Sequence, residues 1–103
     1  MQYQLVVQFP AKNIADFDAL VSLENELVSE LGNSAKVDGH DFGSGEANIF
    51  ILTSDPELTF WKIRQVLKRE GRLEKVTAAY RPVTGGNYKV VWPKDSQMPF
   101  SIK

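Results

Sequence analysis

The amino-acid sequence predicts an α+β fold whose elements follow the order β-α-β-β-α-β. Three observations predict it: alternation over residues 2–9, with Val6 among the glutamines of the more polar face, two segments with helical periodicity, and an apolar run at 47–53 between them. Period-two alternation is typical of a half-buried strand, and a period of 3.6 is typical of a helix packed on one side. We expect the 103 residues to form one domain, with a core over 1–82 and an apolar C-terminal extension over 83–103.

Composition limits the classes of function. The chain is 43% hydrophobic and 24% charged with a net charge of -1, values that favour a folded protein. No apolar run approaches the roughly 20 residues that span a bilayer, and the first ten residues lack a basic leader, so we expect a cytoplasmic protein with no membrane partner. An isoelectric point near 5.8 argues against general nucleic-acid binding. The absence of cysteine excludes disulfides, thiolate nucleophiles and cysteine-bound metals.

The first strand and the first helix have clear boundaries. Residues 2–9 alternate, with glutamines on one face, and Pro10 ends the strand. Asn13 is a suitable N-cap for a helix from about Ile14 to Leu31, and Gly32 stops it. Its predicted apolar stripe is Ile14, Phe17, Leu20, Val21, Leu27, Val28 and Leu31.

A hairpin of uneven quality is predicted next. Lys36–Phe42 is a poor strand that contains acidic residues and glycine, 43–46 forms the turn, and Ala47–Thr53 is a strong strand that is apolar on both faces. Strands with two apolar faces lie at the centre of a sheet, whereas charged strands with glycine are common at its edges.

The second helix has the clearest start in the chain. Asp55 is positioned to cap it and Pro56 fits the first helical position. Phe60, Ile63, Val66 and Leu67 form the predicted buried stripe, and Gly71 ends the helix. Lys75–Arg81 is the last predicted core strand, and the short apolar segment Asn87–Pro93 follows a Gly85-Gly86 turn.

This order of elements is that of a ferredoxin-like sandwich: an antiparallel four-stranded sheet with both helices on one face. The first and third strands are expected at the centre, and the second and fourth at the edges. The open face would then carry Val6, Phe50 and Leu52, an apolar patch that needs a cover. Either the C-terminal segment folds back across or beside the sheet, which we favour, or two subunits pack sheet against sheet, and the two arrangements are not exclusive. The candidate interface residues are Phe50, Leu52, Trp61, Tyr88 and Trp92.

Three segments carry a resemblance: 38–50 (DGHDFGSGEANIF), 79–81 (AYR) and 91–93 (VWP). In them the chain resembles a family of small, uncharacterised bacterial proteins. The resemblance implies no established activity and no catalytic residues. Similar compact proteins sometimes act as immunity partners of toxins.

The hairpin is also the candidate ligand or partner site, because Asp38, His40, Asp41 and Glu46 cluster there. In an extended strand Asp38 and His40 would project from the same side and Asp41 from the other. Such a group could bind a hard metal ion or carry out acid–base chemistry. Carboxylates and glycines on an edge strand are, however, more often solvent-exposed residues that prevent the strand from pairing with another chain. No zinc motif and no phosphate-binding loop is present, and no cofactor is predicted.

Charge and aromatic placement favour interaction over catalysis. The first helix carries five acidic residues and no basic one, whereas the second helix and its exit carry six basic residues. Trp61 follows Phe60, so both rings cannot face the core; packing at the core margin is the common outcome, and a partly exposed ring would anchor a partner. The predicted function is a non-catalytic protein-interaction or regulatory module that binds a protein or itself. The alternative is a small-molecule or metal-binding enzyme or sensor that uses the hairpin.

Overall fold

A five-stranded antiparallel sheet with two helices forms the fold. The structure is a computed structural model that describes residues 1–96 and 98–102. Its elements are β1 (Tyr3–Pro10), α1 (Ile14–Leu31), β2 (Lys36–Gly43), β3 (Glu46–Thr53), α2 (Pro56–Arg69), a 3-10 turn (Leu73–Lys75), β4 (Thr77–Pro82) and β5 (Lys89–Trp92). The strand order is β2-β3-β1-β4-β5. The α+β class and the central positions of β1 and β3 are therefore confirmed.

The predicted four-stranded sheet is wrong, because β5 adds a fifth strand beside β4. After a turn at Gly85-Gly86, Lys89 pairs with Tyr80 and Val90 with Ala79. β4 is thus an internal strand, and β5 is the edge. The pairing gives the outer backbone groups of β4 the hydrogen-bond partners that an edge strand lacks.

Both helices begin at the predicted caps. The Asn13 side chain accepts a hydrogen bond from the Asp16 backbone N–H at 3.0 Å, and Asp55 Oδ1 accepts one from Leu58 N–H at 3.1 Å. Pro56 occupies the first turn of α2, where its missing N–H has no cost. The predicted stripe of α2 is fully confirmed, since Phe60, Ile63, Val66 and Leu67 are all buried.

The predicted stripe of α1 is only partly right. The buried residues are Leu20, Leu23, Leu27 and Leu31, whereas Ile14 and Val28 are exposed. At 100° per residue, Ile14 lies about 135° around the helix from the centre of that stripe. Phe17 lies at the margin and packs edge-on against Phe42 of β2 instead, with ring centroids 5.4 Å apart.

The main core lies between the helices and one face of the sheet. Leu5 pairs with Ile51 and Val7 with Ile49 across β1 and β3, and all four side chains are completely buried. The buried leucines of α1 and the stripe of α2 pack on this same face. Each of these side chains contributes roughly 1.5–3 kcal/mol by leaving water.

The C-terminal segment crosses the open face of the sheet. There Tyr88 Oη donates a hydrogen bond to Gln4 Oε1 at 2.7 Å, and the Tyr88 ring lies 5.0 Å from Phe100. Gln8 Nε2 lies 3.0 Å from the carbonyl oxygen of Ser101. Val6, which faces this side, is completely buried. The chain itself thus covers the open face around Val6, whereas Phe50 and Leu52 of β3 stay half-buried there.

Two carboxyl groups meet where the helices pack together. A side-chain hydrogen bond to Glu70, with some desolvation and the negative charge of Glu70, raises the pKa of Glu26 above its ordinary value. Arg69 and Arg72 oppose this shift: Arg69 lies 4.0 Å from Glu26, and Arg72 lies 3.2 Å from Glu70. Folding therefore favours the protonated form of Glu26, and the stability that this group contributes falls as the pH rises through its raised pKa.

Glu26→Gln is expected to raise the melting temperature at pH 7, because the amide donates a hydrogen bond to Glu70 without a second negative charge. The gain should vanish near pH 4, where Glu26 in the unmodified chain carries the proton itself. Thermal unfolding followed by circular dichroism between pH 4 and 8 measures both. Glu30→Gln removes the same charge from an exposed position of α1; an equal gain in that control would contradict the assignment to the Glu26–Glu70 pair.

Ending the chain after Ser96 is expected to lower the free energy of unfolding by about 1–3 kcal/mol. The truncation removes the Tyr88–Phe100 ring pair and the Gln8–Ser101 hydrogen bond, each of which contributes on the order of 1 kcal/mol. Urea unfolding measures the loss, and Met98→Ala in the full chain is the control because Met98 is 74% exposed. A truncated chain as stable as the full one would show that the segment does not hold the open face.

Candidate protein-binding groove

The histidine of the hairpin faces α1. His40 Nδ1 lies 3.1 Å from both carboxylate oxygens of Glu24, and the His40 ring packs edge-on against Phe17 at 5.9 Å. Its neighbour in β2, Asp41, pairs with Asn48 and therefore points to the opposite face of the sheet. His40 thus joins the hairpin to α1.

Asp38 and His40 do not share a side as expected. The pairing with β3 shifts between Val37 and Gly39, so Asp38 is the extra residue of a bulge, and Gly39 has a positive φ of 131°. The Asp38 carboxylate lies 3.8 Å from Lys36 Nζ, whereas His40 contacts Glu24. The bulge therefore separates the two residues on which the predicted hairpin site depended.

Glu46 belongs to a third environment. It is 8% exposed on the open face, where its carboxylate accepts a hydrogen bond from Gln8 at 3.0 Å and one from Asn48 at 3.3 Å. Within residues 1–96 and 98–102, no three acidic or histidine side chains are arranged to hold a metal ion. The four hairpin residues thus form no common site, and their contacts connect parts of the fold.

A groove of about 460 Å³ lies between α2 and β5. Its fixed wall is Trp92, whose indole N–H donates a hydrogen bond to the Leu73 carbonyl oxygen at 3.0 Å. The Trp92 ring lies 6.3 Å from the buried Phe60, and the Arg64 guanidinium stacks over it at 4.9 Å. We name this site the tryptophan groove; its lining residues are Glu57, Phe60, Trp61, Arg64, Lys89, Val90, Val91, Trp92, Lys94 and Asp95.

Trp61 is the exposed wall of the tryptophan groove. Its side chain is 59% exposed, so the expected packing at the core margin is wrong. The reason is its place on α2: Phe60, one residue earlier, takes the core position and turns Trp61 outward by about 100°. The groove thus has one tryptophan fixed by the fold and one open to solvent.

Uncompensated positive charge borders the groove. Trp61, Arg64 and Lys68 follow a helical spacing of three and four, which places them on one side of α2. Among the described residues, neither Arg64 nor Lys68 forms an ion pair. Lys89 lies 4.0 Å from Glu57, but both side chains are largely exposed, so this pair is weak. Arg69, by contrast, reaches the acidic α1 and lies 4.0 Å from Glu26. The cations beside the groove are thus available to a ligand.

The predicted interface residues divide between two surfaces. Trp61 and Trp92 share the tryptophan groove, whereas Phe50 and Leu52 are half-buried on the open face. Tyr88 also lies on the open face, held by Gln4 and by Arg81, which stacks on its ring at 4.6 Å. The sequence analysis did not connect Arg64 or Lys89 with the two tryptophans. The signal that could have done so is the KVVW run after Gly85-Gly86, which is typical of a further strand.

Comparison with known proteins gives a fold and no family. No protein-family model and no curated protein matches the chain, and the resemblance to small bacterial proteins stays a prediction. No helix among the described residues is long and apolar enough to cross a membrane. Among solved structures, the chain is similar to the de novo designed protein Foldit4, with a TM-score of 0.53 and 17% identity over 79% of this chain and 94% of that one. At this identity the likeness shows the shared α+β fold alone.

Proposed function

We propose that the chain is a small, non-catalytic protein-binding module of the cytoplasm that holds a partner protein in the tryptophan groove. The observation that carries the proposal is the 59% exposure of Trp61 beside the fixed ring of Trp92. A large aromatic ring left in water is unfavourable for an isolated domain, and tryptophans of this kind are enriched among the residues that dominate binding energy.

The groove is prepared for binding because part of it is already rigid. Trp92 is held by its hydrogen bond to Leu73 and by packing on Phe60 and Arg64. A partner that docks against it therefore loses little free energy in ordering that wall. Among the described lining residues, Trp61 is the large apolar side chain that a partner would still have to immobilise, because it is 59% exposed.

The chemistry of the lining favours binding over catalysis. The described residues that line the groove include carboxylates and cations but no histidine, serine, threonine or cysteine. Glu57, one of the two carboxylates, lies 4.0 Å from Lys89, so these two potential reactive groups are placed as partners of an ion pair. Aromatic walls with a charged rim suit recognition of a peptide or a protein loop.

Trp61→Ala is expected to abolish capture of the partner, because it removes the exposed ring at the centre of the contact. Tagged protein would be incubated with lysate of the source cells, and retained proteins quantified by mass spectrometry. For a partner so identified, the affinity should fall about 30-fold, which corresponds to roughly 2 kcal/mol. Arg64→Glu should weaken the same partner.

Leu58→Ala is the matched control, since Leu58 is a 53% exposed apolar residue of the same helix that does not line the groove. It should leave capture unchanged. A partner lost equally in both variants, or in neither, would contradict the groove as the binding site. Light scattering completes the test: a wild-type dimer that Trp61→Ala converts to a folded monomer would identify the partner as a second copy.

A further inference from the structure

We infer that the tryptophan groove binds an extended acidic segment of its partner as an added β-strand along β5, with a large apolar side chain of that segment between Trp61 and Trp92. This inference rests on the proposed function and names the class of ligand that the groove binds. It depends on three observations: the character of the two sheet edges, the position of β5 along the groove, and the charge beside it.

The two edges of the sheet differ in how they are protected. β2 carries the charged residues Lys36, Asp38 and Asp41, which oppose strand addition. Both edge strands have one irregularity in their pairing, between Val37 and Gly39 in β2 and between Val90 and Trp92 in β5, so it is the charge that distinguishes the two edges. β5 is a run of Val90, Val91 and Trp92 with Lys89 as its one charge. Edge strands present a row of backbone N–H and C=O groups that an incoming strand can pair. β5 is therefore the edge that admits another strand.

The edge of β5 runs along the groove itself, since all four of its residues are among the groove's lining. A strand paired with β5 would lie about 4.8 Å away and would direct every second side chain, about 6.5–7 Å apart, toward the groove. β5 has four residues, so a matching segment of about four to six residues places one or two side chains against the tryptophans. Backbone pairing would provide affinity, and the groove would select the side chain.

The charge of the surrounding surface selects an acidic segment. Among the described lining residues, three are cations, Arg64, Lys89 and Lys94, and two are carboxylates, Glu57 and Asp95. Lys68, one turn beyond Arg64 on the same side of α2, adds a further positive charge. Side chains two residues before and after the buried one point to the same face of the added strand, and they would lie near Arg64 and Lys68 on α2. Carboxylates there would gain attraction that salt screens only in part at such short range.

A nucleic acid would also be attracted to these cations, but the edge of β5 favours a peptide. Strand pairing joins the alternating N–H and C=O groups of one polypeptide backbone to those of another. A phosphate backbone has no such alternation of donors and acceptors. A single-stranded RNA therefore enters the test as the competing ligand.

A displayed library of random ten-residue peptides tests the inference directly. Selection on the full chain, with Trp61→Ala/Arg64→Glu protein as the counter-selection, should enrich peptides that have a large apolar residue flanked at alternate positions by Asp or Glu. A synthetic peptide of the enriched sequence should bind Trp61→Ala at least tenfold more weakly than wild type, and Leu58→Ala equally well. Circular dichroism of the variants shows that each is folded.

Amide hydrogen exchange by NMR tests the added strand itself. The outward amides of Lys89–Trp92 should exchange at least tenfold more slowly in the peptide complex, whereas those along β2 should not change. Binding at the groove without protection in β5, or enrichment of basic or uncharged peptides, would overturn the inference and leave the proposed function standing. Capture of no protein together with selection of no peptide would overturn both. Binding of a ten-nucleotide oligouridylate that requires Trp61, with no peptide selected, would overturn both in favour of RNA.

Discussion

The structure depends on one constraint: its two central strands carry apolar residues on both faces, and those residues must be kept from water on both. Leu5, Val6 and Val7 are consecutive in β1, point alternately to the two sides of the sheet, and are all completely buried. The helices cover one side, as in any fold of this element order. The other side would be an exposed patch on a single-layer sheet if the chain ended with β4. The residues after Pro82 provide the second cover, through Tyr88, Phe100 and Ser101.

The candidate site follows from how the chain reaches that second face. To return from the end of β4, the backbone turns at two glycines and runs beside β4 as β5 before it crosses the open side. β5 extends the sheet under α2, and the space between them is the tryptophan groove. Trp92 is fixed there because it closes the core next to Phe60. The same segment therefore completes the fold and builds one wall of the groove.

Local signals in the sequence predicted the parts of the fold that depend on local chemistry. The caps at Asn13 and Asp55 and the stripe of α2 are correct because each is set by residues within one or two turns. The bulge beside Asp38 and the pairing of β5 are set by register with strands far away in the sequence, so no local pattern shows them. Trp61 is an intermediate case: the sequence shows that only one of two adjacent rings can face the core, and packing against β5 decides which.

The likeness to a protein designed de novo helps to separate what the fold needs from what it does not. At 17% identity the two chains share an architecture but few side chains, so the architecture requires apolar patterning, caps and turns rather than particular surface residues. Exposed Trp61, and Lys68, which forms no ion pair among the described residues, contribute nothing to that patterning, and an exposed ring beside an edge strand with a single charge increases the risk of aggregation. Features that the fold does not need and that carry a cost are expected where a surface is used. In this chain they meet at one place, along α2 and β5, and the proposed binding at the tryptophan groove would account for both.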